Sequence, residues 1–287
     1  MGTGLMALFH AEDLTKYYGR KAVVDHISLT VEPGEIVGIL GPNGAGKTTA
    51  FRMSIGMIRP NEGRVYFDDQ EVTGWPMFKR ARAGMGYLAQ QPSVFQRMTV
   101  EDNLLAVLEM QGTDRKDRHE RAYEMLEEFS LQHVTDHMAH TLSGGERRRL
   151  EIARALCSRP SLILMDEPFT GIDPIAVNEL QELVAALKYR GIGVLITDHN
   201  VLEALRITDR ACILSQGKIV TQGTTEELLE DPVARENYLG YRIQHAHVRG
   251  EADMEPPTEW TEAAEQSEES TAFSGTVQSF PDGDEDE

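Results

Sequence analysis

Cysteine, basic residues and long apolar runs are all scarce in this sequence of 287 residues. Its two cysteines, Cys157 and Cys212, lie far apart within apolar patterns and lack the spacing of metal ligands. We therefore expect two buried thiols and no disulfide. The sequence has no run of about 18 or more apolar residues, and its start lacks the basic and long apolar stretches of a secretory signal. These absences predict a chain that stays in the cytoplasm.

The shortage of basic residues is uneven along the chain. There are 28 Lys and Arg against 47 Asp and Glu, and residues 251–287 hold 13 of the acids and no base. That stretch has uncompensated charge and few apolar residues, which predicts a disordered acidic tail over 244–287. The remainder is only mildly acidic. Such a balance argues against a basic face for nucleic acid, so we expect no nucleic-acid partner.

Apolar periodicity predicts a mixed α/β fold. Short strand-like runs alternate with turns over 8–72, and one helix begins within 41–58. From about 92 to 160 the apolar spacing becomes helical, after which strand-like runs return. The helical block is therefore an insertion in an α/β core. With no internal repeat, we expect a single domain over 1–243.

A glycine-rich segment points to phosphate binding. Residues 41–48 read GPNGAGKT, which fits the G-x-x-x-x-G-K-[ST] pattern, follows the apolar run EIVGIL and opens the predicted helix. Glycines allow backbone N–H groups to turn toward phosphates, and the helix start adds partial positive charge. Lys47 can then reach the β and γ phosphates, and the Thr48 hydroxyl can bind Mg²⁺. The alternative is a chance glycine-rich turn.

A pair of acids ends the apolar run LILMDEP. Two carboxylates at the end of a buried strand raise the free energy of the fold unless they contact a cation or a polar reactant. Asp166 suits a Mg²⁺ shell, and Glu167 suits the base that orients an attacking water. Alternatively, Glu167 caps the following segment or pairs with an arginine. A metabolic kinase with a phosphate loop would also explain Lys47 and Asp166.

A third motif, Leu142-Ser143-Gly144-Gly145-Glu146, closely resembles the signature of ABC ATPases. The resemblance covers residues 8–242 and implies a P-loop NTPase core of ABC type, with an N-terminal antiparallel β subdomain and an inserted α-helical subdomain at about 92–160. It implies ATP hydrolysis with Mg²⁺ by a head-to-tail homodimer, in which this motif binds the ATP held by the other subunit. The motif can also be a simple helix start, with Ser143 as cap and Glu146 completing a capping box, and both interpretations can hold together. The acidic tail departs from the family pattern.

The same resemblance implies the remaining nucleotide contacts. Tyr18 resembles the aromatic residue that stacks on adenine, although Tyr17 competes for that role and core packing is the alternative. Gln90 resembles the glutamine that touches Mg²⁺ and links the helical subdomain to the core, and Gln91 is adjacent. The implied metal ligands are Thr48, Gln90 and Asp166. The implied ATP-binding residues are Tyr18, Gly41, Pro42, Asn43, Gly44, Ala45, Gly46, Lys47, Thr48, Thr49 and Gln90.

Two further positions complete the resemblance. His199 resembles the switch histidine that contacts the γ-phosphate, and with Glu167 it forms the implied catalytic pair. Asp173 resembles the acid at the dimer interface.

Several segments, among them SGGERRRLEIARAL and LITDHNV, resemble most closely the ATPases of lipopolysaccharide-export transporters. ATPases of branched-chain amino-acid importers are the alternative, since membrane subunits handle the cargo. The resemblance implies integral membrane permease subunits as partners, a transported lipid that the ATPase does not contact, and a position at the cytoplasmic face of the inner membrane. A translation-associated ABC protein usually carries two such domains, and a chromosome-maintenance ATPase carries a long coiled coil; the sequence has neither.

The segment after Gln90 is a candidate docking site for the membrane subunits. Phe95 and Met98 are apolar, and Arg97 lies between them. In ABC transporters a short cytoplasmic helix docks at this place, and such a helix is commonly held by apolar anchors flanked by charge. We expect Phe95 to be an anchor and Arg97 a rim contact. Packing within the helical subdomain is the alternative.

Overall fold

The computed structural model describes residues 7–239 of the chain. The acidic tail predicted at 244–287 and the domain boundary predicted at 243 both lie outside these residues. Within them, no helix has the length and apolar composition required to cross a membrane. Cys157 and Cys212 are buried free thiols, as predicted.

Two sheets form the β structure of the described residues. The first is antiparallel, with the order β2-β1-β4-β5. The second has the order β10-β9-β3-β8-β7-β6, and its strands from β9 to β6 are parallel. The strands are β1 (Phe9–Tyr18), β2 (Lys21–Val31), β3 (Ile36–Leu40), β4 (Glu62–Phe67), β5 (Gln70–Glu71), β6 (Met85–Leu88), β7 (Leu162–Asp166), β8 (Gly193–Asp198), β9 (Arg210–Ser215) and β10 (Lys218–Thr224).

The helices pack on these sheets or form the inserted block. They are α1 (Lys47–Ile55), α2 (Met77–Arg82), α3 (Val100–Met110), α4 (Arg115–Glu128), α5 (Gly144–Leu156), α6 (Pro174–Ala186), α7 (Val201–Leu205), α8 (Thr225–Glu230) and α9 (Pro232–Ala234). Of these, α3, α4 and α5 fall within the predicted insertion. The mixed α/β architecture with its antiparallel sheet confirms the predicted fold class.

The central strands β3, β7 and β8 are buried on both faces, which explains their continuous apolar runs. One apolar cluster joins the helical block to the faces of β7 and β8. A second cluster packs α1 between the two sheets through residues such as Phe51 and Met53. The core therefore fixes α1 and the strand ends relative to each other.

Some elements differ from the sequence-based prediction. The apolar spacing suggested that the first helix continues to Ile58, but α1 ends at Ile55 because Gly56 adopts a left-handed conformation and caps it. The prediction missed strands β5, β6 and β10, helix α2 and helices α6 to α9. Most of these elements are short, and after residue 160 the prediction covers only the strand-like runs.

Candidate functional site

The site lies at one edge of the parallel sheet. Strand β3 leads into the glycine-rich loop, β7 ends at Asp166 and β8 ends at Asp198. Leu40 is opposite Asp198, and Asp166 is opposite Thr197 in the strand register. Because parallel strands place their carboxyl ends together, the loop and both acids meet at this edge.

Two positions of the loop require glycine because another backbone segment lies very close to them. Gly41 and Gly46 have φ values of 138° and 105°. A Cβ atom at Gly41 would lie 2.3 Å from the Leu214 carbonyl oxygen, and one at Gly46 would lie 2.6 Å from the Val23 carbonyl oxygen. Gly44, also in the left-handed region, faces open space. Only glycine fits the first two positions without distortion of the loop.

The loop presents its middle residues to solvent and buries its lysine. Pro42, Asn43 and Gly44 are exposed, whereas Ala45, Gly46 and Lys47 are buried and Thr48 and Thr49 are half-buried in the first turn of α1. That turn contains no acidic residue, so its N–H groups and partial positive charge remain favourable for an anion.

Lys47 is 4% exposed, and its Nζ donates to the carbonyl oxygens of Gly41 and Pro42, at 2.8 and 3.1 Å. Burial lowers the pKa of Lys47, against the opposing effect of Glu167, Asp198 and Asp166. An ammonium group has three donors, so one remains for a further acceptor. The loop thus holds a cation next to three carboxylates.

The two buried acids are held by neighbouring backbone and hydroxyl groups. Asp166 Oδ1 accepts from the Thr197 hydroxyl at 2.8 Å, and Asp198 Oδ1 accepts from the Asn200 N–H at 2.8 Å. Burial raises the pKa of both carboxyl groups. A nearby cation would oppose this effect, because an opposite charge favours the ionised form.

Glu167 is the centre of a small polar cluster. Its Oε2 accepts from Gln90 Nε2 at 2.9 Å and from the Thr170 hydroxyl at 3.3 Å, and it lies 3.2 Å from His199 Nδ1. None of these partners is an arginine. Glu167 has a φ of 44°, which is rare for a residue other than glycine and is found where surrounding contacts hold the backbone. Of the adjacent glutamines, Gln90 makes the contact with Glu167.

The oxygen donors at this edge suit a magnesium ion that also binds phosphate. Thr48 supplies a hydroxyl and Asp166 a carboxylate, and both oxygen types are preferred by this ion. Among the described residues, no group of three or more His, Cys, Asp or Glu could hold a metal. Magnesium bound here would complete its coordination with phosphate and water oxygens, as is common for this ion.

The signature-like segment forms the start of α5. Ser143 is the N-cap: its hydroxyl accepts from the Glu146 N–H, while Glu146 Oε2 accepts from the Ser143 N–H at 2.8 Å. The capping box predicted as an alternative is therefore present. Gly144 is exposed and Gly145 is buried. A Cβ atom at Gly145 would lie 2.9 Å from the Ala176 side chain on α6.

No hydrogen bond within residues 7–239 joins this segment to the phosphate-binding loop. Instead, α5 is tied to the acids through Arg148. This buried arginine donates to the carbonyl oxygens of Pro168 and Ala89, next to Glu167 and Gln90, and to the buried Glu151 carboxylate. The start of α5 is thus held in a fixed position relative to the acid cluster.

Two other predicted site residues lie at the surface. Tyr18 ends β1, and 53% of its surface is exposed. Its ring is therefore available for stacking, and the alternative prediction that it packs in the core is wrong. Its neighbour Tyr17 is also exposed. Asp173 is exposed and caps α6 by accepting from the N–H groups of Ile175 and Ala176. Its carboxylate therefore has a local structural role.

Phe95 and Arg97 lie on the surface of the segment between β6 and α3. Phe95 is 41% exposed, and the guanidinium of Arg154 lies 4.4 Å from its ring centroid. Asn103 fixes the backbone of Phe95 through hydrogen bonds in both directions. The ring is therefore held in place while one face stays accessible.

Sequence reasoning missed Thr197, Asp198 and Arg148. Asp198 ends an apolar strand just as Asp166 does, so the same argument could have identified it. Thr197 and Arg148 act through contacts between distant segments. Those contacts have no local sequence signal.

Comparison with known proteins gives consistent matches. A sequence profile described as ABC transporter matches residues 24–170. The chain is 52% identical over 237 residues to the lipopolysaccharide export system ATP-binding protein LptB of Acidithiobacillus ferridurans, covering 83% of this chain and 98% of the relative. It is 49% identical over 236 residues to LptB of Escherichia coli strain K12, covering 82% and 98%.

Solved structures agree with these sequence matches. The ADP conformation of an ATP-binding cassette of an ABC transporter superposes with a TM-score of 0.73 at 31% identity, covering 82% of this chain and 99% of that one. A dimeric ATP-binding cassette in a post-hydrolysis state with ADP and Pi superposes with a TM-score of 0.66 at 26% identity, covering 76% and 98%.

Proposed function

Since this chain belongs to the ATP-binding protein family of ABC transporters, we propose that it is the ATP-hydrolysing subunit of a transporter that exports lipopolysaccharide. The observation that carries this proposal is that about half of the aligned residues are identical to those of LptB proteins, over nearly the whole length of those proteins. These named relatives favour lipopolysaccharide export over branched-chain amino-acid import.

The loop at 41–48 binds the phosphates of ATP. Its exposed middle residues and the N–H groups at the start of α1 surround the β and γ phosphates, and Lys47 donates its remaining N–H to them. Tyr18 stacks on the adenine ring from the end of β1. Thr48, Gln90 and Asp166 are the proposed contacts of Mg²⁺, which when bound neutralises phosphate charge.

Glu167 orients the attacking water and receives its proton. Gln90 and His199 both contact Oε2 of Glu167, which leaves Oε1 to meet the water. His199 is partly exposed beside this carboxylate and can reach the γ-phosphate through Nε2. His199 would thus contact both the γ-phosphate and the proposed base, Glu167.

Two copies are proposed to sandwich two ATP molecules head to tail. Within the described residues, 143–146 make no hydrogen bond with the loop of their own chain. The Ser143 and Glu146 N–H groups serve the capping box, and those of Gly144 and Gly145 are available to an anion. Ser143, Gly144, Gly145 and Glu146 of one copy would meet the γ-phosphate held by the other, with Asp173 at the interface. ATP binding closes this dimer, and hydrolysis opens it.

Integral membrane subunits are proposed to dock on the segment that contains Phe95 and Arg97, so the ATPase lies at the cytoplasmic face of the inner membrane. Phe95→Ala should reduce co-purification with those subunits at least several-fold, because an aromatic anchor often dominates such a contact. The isolated chain should keep its melting temperature and ATP affinity, since the ring is 41% exposed. Tyr123→Ala removes an exposed aromatic residue from α4 and is the matched control. If Phe95→Ala unfolds the isolated chain, packing within the helical subdomain explains Phe95 instead.

The cargo can be tested in the native membrane. The tagged chain should co-purify with integral membrane proteins, and vesicles that contain the complex should release lipopolysaccharide only with hydrolysable ATP. Depletion of the chain should cause lipopolysaccharide to accumulate in the inner membrane. Co-purification with an amino-acid permease, and uptake of branched-chain amino acids that depends on this chain, would instead support the importer.

A further inference from the structure

The signature-like segment carries a negative charge where a phosphate is proposed to bind. Glu146 ends this segment, and its pKa is lowered to about 2, mainly by the hydrogen bond from the Ser143 hydroxyl. The carboxylate is therefore ionised at neutral pH. An anion at this place repels the γ-phosphate of the partner subunit unless a neighbouring group offsets it.

The Ser143 hydroxyl is also occupied within its own chain. Its Oγ lies 2.6 Å from Glu146 Oε2 and donates to it, and the Ser143 N–H donates to the same oxygen at 2.8 Å. Before this hydroxyl can donate to a phosphate, it must leave Glu146. The carboxylate then keeps the Ser143 N–H as a partner, and a second donor would hold it in place.

His133 supplies that second partner from a different segment. Its Nε2 lies 3.0 Å from Glu146 Oε1, the oxygen that Ser143 does not use. Since an ionised carboxylate only accepts, Nε2 must carry the proton. The short helical turn around His133 is anchored by the buried side chains of Leu131 and Val134. The imidazole is thus presented to Glu146 from a fixed backbone.

We propose that His133 is a positioning residue that holds the Glu146 carboxylate, so that the Ser143 hydroxyl can turn to the γ-phosphate bound by the partner subunit. This inference depends on the head-to-tail dimer proposed above. The imidazole N–H donates to Glu146 Oε1, whereas Ser143 contacts Oε2, so the hydrogen bond from His133 stays in place when the Ser143 hydroxyl turns away. His133 would therefore influence closure of the dimer and leave binding of ATP by the loop at 41–48 unaffected.

The inference can be tested with His133→Ala in a Glu167→Gln background, where hydrolysis is slow. The ATP concentration for half-maximal dimerisation, measured by light scattering, should rise about three- to tenfold, the range for a partly exposed charge-assisted hydrogen bond. Affinity of the monomer for a fluorescent nucleotide should be unchanged. His133→Gln, which retains an N–H donor of similar reach, should restore most of the loss.

His119→Ala is the matched control for removal of a surface histidine. His119 Nδ1 lies 3.1 Å from Glu101 Oε1, and this pair joins α4 to α3 within the same helical block. Its loss should leave dimerisation unchanged. In a Glu146→Gln background, His133→Ala should raise the ATP concentration for half-maximal dimerisation by less than about twofold, because the charged group that His133 holds is absent.

Three results would overturn the inference. The first is that His133→Ala leaves dimerisation unchanged. The second is that His133→Ala has the same effect on dimerisation with Glu146→Gln as without it. The third is that the His133→Ala monomer binds the fluorescent nucleotide more weakly. If the Glu167→Gln protein shows no ATP-driven dimerisation even with His133 intact, the dimer proposal itself fails. The two failures are therefore distinguishable.

Discussion

Glu167→Gln should lower ATP turnover at least ~100-fold and leave ATP binding intact, because it removes the charge that accepts a proton from water. A closed dimer should accumulate with ATP. Steady-state phosphate release measures the first effect, and size-exclusion chromatography with ATP measures the second. The size of the expected loss follows from the role of Glu167 as the proposed general base.

The geometry around Glu167 makes this substitution a clean test. Glutamine has the same shape and keeps an oxygen that can accept from Gln90 and Thr170. It also bears no more strain at a φ of 44° than glutamate does. Glu120→Gln, at an exposed position on α4, is the control for loss of one negative charge. Hydrolysis by Glu167→Gln at close to the parent rate would show that another group activates the water.

The sequence predicted those parts of the site that a short local pattern of residues can identify. The phosphate loop could be recognised because its glycines follow an apolar strand and precede a helix, and the close approaches at Gly41 and Gly46 give the physical reason for that pattern. The acids at 166–167 could be found because charge at the end of a buried strand is costly. The helix cap at Ser143 followed from its spacing to Glu146.

Contacts between distant segments could not be predicted in the same way. Thr197 holds Asp166 across two strands, and Arg148 reaches the backbone on both sides of the acid cluster. His133 meets Glu146 only because an intervening turn folds back on α5. Each of these residues would pass for an ordinary polar residue in the sequence. Their roles depend on the fold that brings the segments together.

The buried pair of Arg148 and Glu151 links the helical block to the backbone beside Glu167 and Gln90. Glu151 Oε1 accepts from the Ser93 N–H, and Arg154 donates to the Ser93 carbonyl oxygen while its guanidinium lies over Phe95. One helix, α5, therefore contacts the residues beside Glu167, the segment after Gln90 and the proposed docking residue. These contacts connect the backbone beside Glu167 to the surface around Phe95.

Lys47→Ala should weaken nucleotide binding about 10- to 140-fold, in contrast to the effect at Glu167. The lysine is the cation of the loop, and a hydrogen bond to a charged phosphate is worth about 1.5–3 kcal/mol, which corresponds to this range. Its loss also removes a positive charge near the carboxylates of Asp166, Glu167 and Asp198, so these negative charges would repel the phosphates more strongly. Titration with a fluorescent nucleotide measures the affinity directly.

The control for this substitution is Lys116→Ala, which removes one positive charge from an exposed position on α4. It should leave nucleotide affinity unchanged. Because Lys47 is buried and bonded to Gly41 and Pro42, the melting temperature of the variant without nucleotide must be compared with that of the parent. A folded Lys47→Ala protein that binds nucleotide with the parent affinity would exclude the loop at 41–48 as the main phosphate site.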